Sequence, residues 1–71
     1  MNETIQILDI EELKSIEVDD YCDLCVGLYN GNYIVYVDSG DTYVEESEIF
    51  YNGKSKNKAK EVLGNVKDTL C

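Results

Sequence analysis

Strand-favouring residues are concentrated in one stretch of the chain, from Tyr21 to Asp38 (YCDLCVGLYNGNYIVYVD). Its first part, about residues 21–29, alternates between two faces, and its second part, about residues 32–38, holds the strand-favouring run YIVYV. Asn30 and Gly31 lie between the two parts and both tolerate positive φ, which suits a tight turn. The pattern therefore predicts a β-hairpin that turns at residues 30–31. One face of its first strand would carry Cys22, Leu24, Val26 and Leu28.

Shorter patterns predict the elements on either side of this hairpin. Ser39-Gly40-Asp41 predicts a turn, and Thr42 to Glu46 predicts a third antiparallel strand that completes a meander. Residues 4–8 alternate like a short strand. The following residues favour a short N-terminal helix, because Asp9 and Glu12 have capping-box spacing. The apolar residues that would share a face of that helix are Ile10, Leu13 and Ile16.

The end of the chain predicts an amphipathic helix that begins after Ser55, a favoured capping residue, and runs to about Leu70. Gly64 lies inside it and costs about 1 kcal/mol relative to alanine. Lysines crowd the start of the helix, where the helix dipole favours carboxylates. Packing beside an acidic sheet would account for these lysines, and so would a basic contact patch. The apolar positions are Ala59, Val62, Leu63, Val66 and Leu70, and the crowded lysines are Lys54, Lys56, Lys58 and Lys60.

These elements predict an α+β fold in one domain, residues 1–71. We expect a small antiparallel sheet of about three strands with the C-terminal amphipathic helix packed across one face. A chain of 71 residues is near the lower size at which a single core suffices. Such small domains often need a metal, a disulfide or a partner surface to be stable.

Charge is the strongest feature of the composition. Fifteen carboxylates face six lysines, and the formal net charge is −9. The first 53 residues carry −12 and the remaining residues carry +3, and no basic residue occurs between Ser15 and Gly53. Such an acidic surface repels nucleic acid and anionic membranes and attracts basic protein surfaces. Acidic residues also provide solubility, which is the simpler interpretation.

Several classes of function are disfavoured by what the chain lacks. No apolar run approaches the roughly 20 residues that span a bilayer, and no signal peptide opens the chain, so we expect a cytoplasmic protein. With no histidine the usual general base is missing, and no serine or cysteine has an evident activator. The chain has neither a glycine-rich phosphate loop nor a basic nucleic-acid stripe. We therefore expect a binding protein and not an enzyme.

Cys22 and Cys25 form the best local chemical signal, because a Cys-x-x-Cys pair can bind one zinc ion when the chain turns between the thiolates. Cys71 would be a third ligand of one structural zinc ion. A carboxylate, a water molecule or a second chain would then be the fourth. Two alternatives remain open: a redox dithiol, which normally lies at a helix start, and a core position for Cys22 with incidental thiols elsewhere. The carboxylates that are candidates for the fourth ligand are Asp19, Asp20 and Asp68.

The acidic segment predicts a partner-binding surface. Duplex DNA carries one charge per roughly 3.4 Å of axis on each strand. Same-face residues of one β-strand are about 6.6 Å apart, so carboxylates from two strands or from a strand and its loops approach that density. Tyr43 would anchor the contact, because tyrosine adds contact area at low entropic cost. The predicted carboxylates are Asp38, Asp41, Glu45, Glu46 and Glu48, with Asp19, Asp20 and Asp23 nearby.

Residues 33–38 (YIVYVD), the acidic turn and strand to Glu48 and the closing amphipathic helix together resemble the small acidic anti-CRISPR proteins of phages and mobile elements. The resemblance covers about half of the chain and concerns architecture and charge. It implies an inhibitor, a monomer or weak dimer in the host cytoplasm, that binds a type II CRISPR effector nuclease and blocks the loading of target DNA. Some members of this class contain zinc, which would suit Cys22 and Cys25.

The lysine-rich helix start, Lys54 to Lys60, departs from a pure DNA mimic. It leaves a choice between filling a DNA channel and docking on a lobe of the effector that must move. The alternative function is a small zinc-stapled scaffold or adaptor domain whose acidity serves only solubility.

Overall fold

Six β-strands and one α-helix make up the part of the chain that the computed structural model describes, residues 4–18, 20 and 22–70. Short 3₁₀ turns follow the first strand at Ile7–Asp9 and the fifth at Glu46–Glu48. Within the described residues, no helix is long and apolar enough to cross a membrane. In chain order the elements are β1 (Thr4–Gln6), β2 (Glu11–Glu17), β3 (Asp23–Tyr29), β4 (Asn32–Asp38), β5 (Tyr43–Glu45), β6 (Ile49–Gly53) and α1 (Lys56–Leu70).

The strands form two antiparallel sheets that pack with the helix in three layers. The larger sheet has the order β2-β3-β4-β6, and the smaller one pairs β1 with β5. Helix α1 packs against one face of the four-stranded sheet, where it contacts β3, β4 and β6. The two-stranded sheet covers the opposite face. The predicted α+β class and the C-terminal helix are therefore confirmed.

Each face of the four-stranded sheet has its own core cluster. On the helix side, Leu24 and Val35 pack with Ala59 and Leu63 of α1. On the other side, Cys25, Ile34 and Tyr36 pack with Ile5 of β1 and Val44 of β5. Burial on both faces explains why β3 and β4 read as nearly continuous apolar runs.

The predicted hairpin is confirmed. Strands β3 and β4 pair from Asp23 with Asp38 to Tyr29 with Asn32. Asn30 and Gly31 form the turn, with φ values of 51° and 79°. Both central residues have positive φ, as the tight turns that match the strand twist require.

The predicted N-terminal helix is wrong. Residues 11–17 form β2, an edge strand that pairs with β3. Ile10 is buried on the side of the two-stranded sheet, whereas Ile16 and the 49% exposed Leu13 lie on the side of α1, so the three residues share no face. A short helical pattern is a weak local preference, and pairing with a long central strand overrides it.

The predicted meander is also wrong in its third strand. The segment that we expected beside β4 contains β5, but β5 pairs with β1 in the smaller sheet. The place beside β4 is taken by β6 instead. The four-residue segment between β4 and β5 takes the chain out of the plane of the larger sheet, so the predicted sheet of about three strands becomes a four-stranded and a two-stranded sheet.

The helix begins as predicted. The Ser55 Oγ accepts a hydrogen bond from the Lys58 N–H (3.1 Å), and the Ser55 N–H donates to the Tyr51 hydroxyl (3.2 Å). The first bond satisfies one of the amide groups that lack a partner at a helix start. The second ties the helix start to β6.

Candidate protein-binding surface

Three carboxylates lie side by side at one end of the four-stranded sheet. The register pairs Glu17 of β2 with Asp23 of β3, and Asp23 with Asp38 of β4. Residues in register point to the same side of a sheet, and alternation along β3 and β4 places these three on the side of Cys25 and Tyr36, away from α1. We call Glu17, Asp23 and Asp38 the acidic row.

We expect the acidic row to cost the fold free energy. Side chains directly opposite each other on antiparallel strands have Cβ atoms about 5 Å apart, and like charges there are destabilising. Within the described part of the chain, the one ion pair joins Lys58 to Glu61 (3.9 Å) on the helix. No described lysine therefore neutralises the row, and packing does not account for it.

The surface continues from the row into the turn after β4 and the 3₁₀ turn before β6. The Asp38 Oδ1 accepts the Gly40 N–H (3.0 Å), and the Ser39 hydroxyl donates to the Glu48 Oε2 (3.3 Å). The first bond closes the turn after β4, and the second joins the two turns. We call the row together with Asp41, Glu45, Glu46 and Glu48 the acidic surface.

Two further carboxylates of the acidic surface, like Asp38, are part of the local structure. Glu45 and Glu48 form a capping box around the 3₁₀ turn, in which the Glu48 Oε1 accepts the Glu45 N–H (3.1 Å). Asp41 and Glu46 are exposed, and within the described residues their carboxylates accept no hydrogen bond. Asp41 and Glu46 are therefore the positions at which charge can be changed with the least effect on the fold.

The other residues predicted for the partner surface lie as follows. Asp20 is exposed in the connection between β2 and β3, at the same end of the sheet as the row. Tyr43 is 38% exposed on β5. Asp19 lies outside the described residues, as does the cysteine predicted as a metal ligand at position 71. The sequence interpretation of this segment as helical missed Glu17, although Ile16 and Val18 on either side of it alternate as in a strand.

We expect Asp23→Asn to stabilise the fold by about 0.5 kcal/mol, because it removes like-charge repulsion with both neighbours in the row. This corresponds to a rise in Tm of roughly 2–4 °C for a domain of this size. Thermal unfolding at low salt measures it, and the gain should shrink in concentrated salt. Asp20→Asn is the control, since Asp20 has no cross-strand partner and should gain less. A variant no more stable than the parent at low salt would show that the row is not under strain.

The two cysteines predicted as zinc ligands do not form a metal-binding turn. Cys22 directly precedes β3 and is half-buried, whereas Cys25 lies inside β3 and is fully buried. In an extended chain, residues three positions apart project to opposite faces. In the described residues, no group of three or more cysteine, aspartate, glutamate or histidine side chains is arranged to hold a metal ion.

The Cys25 thiol is protonated and hydrogen-bonded inside the core. The thiol donates a weak hydrogen bond to the Ser15 hydroxyl (3.7 Å), and burial raises its pKa to about 11. Redox dithiols have lowered pKa values, so the raised pKa of Cys25 does not fit a redox dithiol. Cys25, and not Cys22 as one alternative had it, is the cysteine that packs in the core.

The lysines lie on the other side of the four-stranded sheet. Lys14 is in register with Val26, which faces the helix, and the other five lysines lie in α1 and the two residues before it. The helix lysines therefore do not pack beside the acidic row. Of the two explanations that the sequence offered for them, a basic contact patch fits this arrangement.

No protein-family model, curated protein or solved structure matches this chain.

Proposed function

We propose that this chain is an inhibitory protein-binding module whose acidic surface occupies a basic, nucleic-acid-binding surface of another protein. The observation that carries the proposal is the acidic row, three carboxylates on neighbouring strands that form no ion pair with any described lysine. Neighbouring strands are about 4.8 Å apart. The row therefore places charges closer together than one strand can, and nearer to the roughly 3.4 Å per charge of a DNA strand.

The separation of charge by the sheet supports the same proposal. A basic partner that meets the acidic surface does not meet the lysines of α1, because these lie across the sheet. Opposite charge steers association and fixes orientation more than it determines affinity. The most fitting target is a type II CRISPR effector nuclease, which the resemblance of the chain to small acidic anti-CRISPR proteins implies, with a block of target DNA loading as the mechanism.

The test is cleavage of target DNA by a guide-loaded type II effector, with this protein added either before or after the DNA. We expect inhibition only when the protein is added first, because both ligands would compete for one basic surface. The inhibition should weaken steeply with added salt, since exposed charge contacts are screened over about 10 Å at 0.1 M. Inhibition that is equal in both orders, or independent of salt, would contradict a charge-led block of DNA loading.

Charge reversal locates the contact. We expect Asp41→Lys with Glu46→Lys to weaken inhibition at least about tenfold, since close interfacial charge pairs contribute on the order of 1.5 kcal/mol or more each. Glu45 and Glu48 are left unchanged because they form the capping box. The matched control is Glu61→Lys with Asp68→Lys, which makes the same change in net charge on the exposed face of α1. An equal loss in both double variants would mean that net charge alone matters.

A further inference from the structure

A groove of about 680 Å³ runs between the edge strand β2 and helix α1, on the side of the sheet opposite to the acidic surface. Its floor is aliphatic and comes from both elements and from β3. Its volume lies within the range of ligand-binding clefts. The floor residues are Leu13, Ile16, Val26, Ala59 and Leu63, and Tyr33 contributes the one aromatic ring among the lining residues.

Four of the six lysines of this acidic chain line the groove. Lys14 lies on the strand side, and Lys56, Lys60 and Lys67 lie on the helix side. The three helix lysines are spread over 11 positions, which corresponds to about 16 Å at a rise of 1.5 Å per residue. Positive charge is therefore distributed along the helix side of the groove and is not collected at one end.

Gly64 gives a second, independent observation. It lies in the middle of α1 and lines the groove, and no heavy atom lies within 4 Å of the position that a Cβ would take. Glycine weakens a helix interior, and here neither a close contact nor a positive φ requires it. Its absent side chain leaves the helix side of the groove open.

The edge of β2 is not suited to adding a strand. Glu11, Glu12, Lys14 and Glu17 place charges along it, and the register shifts between Glu12 and Lys14. Charges and bulges at an edge are the features that prevent strand addition. A ligand would therefore lie in the groove and not extend the sheet.

We propose that this groove binds an acidic amphipathic helix of a partner protein, with apolar side chains on the aliphatic floor and carboxylates beside the lysines. Helices that dock in grooves use an apolar stripe of this kind. An anionic lipid carries its charge at one end, whereas these lysines are distributed along the groove. Single-stranded nucleic acid needs aromatic platforms for its bases, and this floor is aliphatic. The site is separate from the acidic surface, so either proposal can fail without the other.

The probe for this proposal is a fluorescein-labelled peptide of about 14 residues, four helical turns, with leucine along one face and glutamate elsewhere. Fluorescence anisotropy with the whole chain measures its affinity at about 0.1 M salt. We expect saturable binding that is at least about tenfold tighter than that of a peptide with the same composition and no apolar face. Equal binding of the scrambled peptide, no binding, or tighter binding of an oligothymidylate of about 12 nucleotides would each overturn the proposal.

Two pairs of variants test the location. Gly64→Leu should leave Tm unchanged or raised, because leucine favours a helix. It should lower the affinity for the peptide at least about tenfold, because the leucine side chain fills the groove. Asn65→Leu, the next position and not a lining residue, should bind the peptide like the parent.

The second pair changes lysines. Lys60→Gln with Lys67→Gln should weaken peptide binding about fivefold to tenfold. Lys54→Gln with Lys58→Gln, outside the groove, should weaken it less. Unchanged binding by Gly64→Leu, or equal losses in both lysine pairs, would overturn the proposal.

Discussion

Replacing Gly27 with alanine is expected to destabilise the fold by about 3 kcal/mol, and replacing it with valine is expected to abolish cooperative folding. A Cβ at position 27 would lie 2.6 Å from the Glu11 carbonyl oxygen and 2.6 Å from the Ile10 Cγ2. The carbonyl belongs to the backbone, so relief requires β2 to move away from β3. Overpacking typically costs about 1–3 kcal/mol, whereas a domain of this size has a total stability of only about 4–10 kcal/mol.

Urea unfolding followed by circular dichroism measures this effect. Gly64→Ala is the matched control, because the same chemical change in α1 meets no atom within 4 Å. It should raise the free energy of unfolding by about 1 kcal/mol. If Gly27→Ala were as stable as the parent, β2 could not pack against β3 at the described distance.

The role of Gly27 illustrates what the sequence could and could not predict. The glycine falls two residues after Cys25, where a metal-binding turn would favour it, and that interpretation uses only neighbouring residues. Its actual role is to let residues 10 and 11 approach β3, a contact across at least sixteen positions. Such a contact depends on which strand becomes the neighbour, and no local pattern specifies that.

The elements that were predicted correctly are those with strong local signals. The Asn30-Gly31 turn needs two residues that tolerate positive φ, and α1 has a capping serine and a long helical period. Strand β2 had neither: Ile10, just before it, packs in one core cluster, Ile16 packs against the other, and Leu13 lies at the bulge. Pairing decided its conformation, as is common for short segments with weak preference.

The candidate surface was predicted only in part, because local signals show its charge but not which strands are neighbours. Its charge is visible in the sequence, as is the contrast between an acidic first part and a basic helix. The acidic row itself depends on the register of three strands, one of which was interpreted as a helix. The groove depends on how α1 packs across the sheet, so the sequence showed its lysines without showing that they share a cleft.

The stability of the fold should also depend on two buried groups that titrate at alkaline pH. Burial raises the pKa of the Cys25 thiol from 9.0 to about 11, and the carboxylates of Glu12 and Asp38 add to this while the bond to Ser15 opposes it. Burial likewise raises the pKa of the Tyr36 hydroxyl, with Cys25 and the same two carboxylates as further causes. Both groups lie in the core between the two sheets and are protonated in the fold.

We expect the free energy of unfolding to fall as pH rises from 9 to 11, with Cys25 alone accounting for about 3 kcal/mol. In this range the unfolded chain releases the thiol proton while the folded chain retains it, so unfolding is favoured as pH rises. Below pH 9 the group is protonated in both states and contributes no slope. Tyr36 extends the loss above pH 10 in the same direction. Urea unfolding at a series of pH values measures this profile.

Two variants separate these groups from the general effect of alkali. Cys25→Ser retains a small polar side chain that does not titrate in this range, so it should flatten the decline between pH 9 and 11. Tyr36→Phe retains the ring and should flatten only the part above pH 10. Each variant is compared with the parent by the slope of its free energy of unfolding against pH. Absolute stability is not compared, since each substitution also changes core packing. The same slope in Cys25→Ser and in the parent would mean that the thiol is hydrated in the folded state, and the core between the two sheets would then be open to water at Cys25.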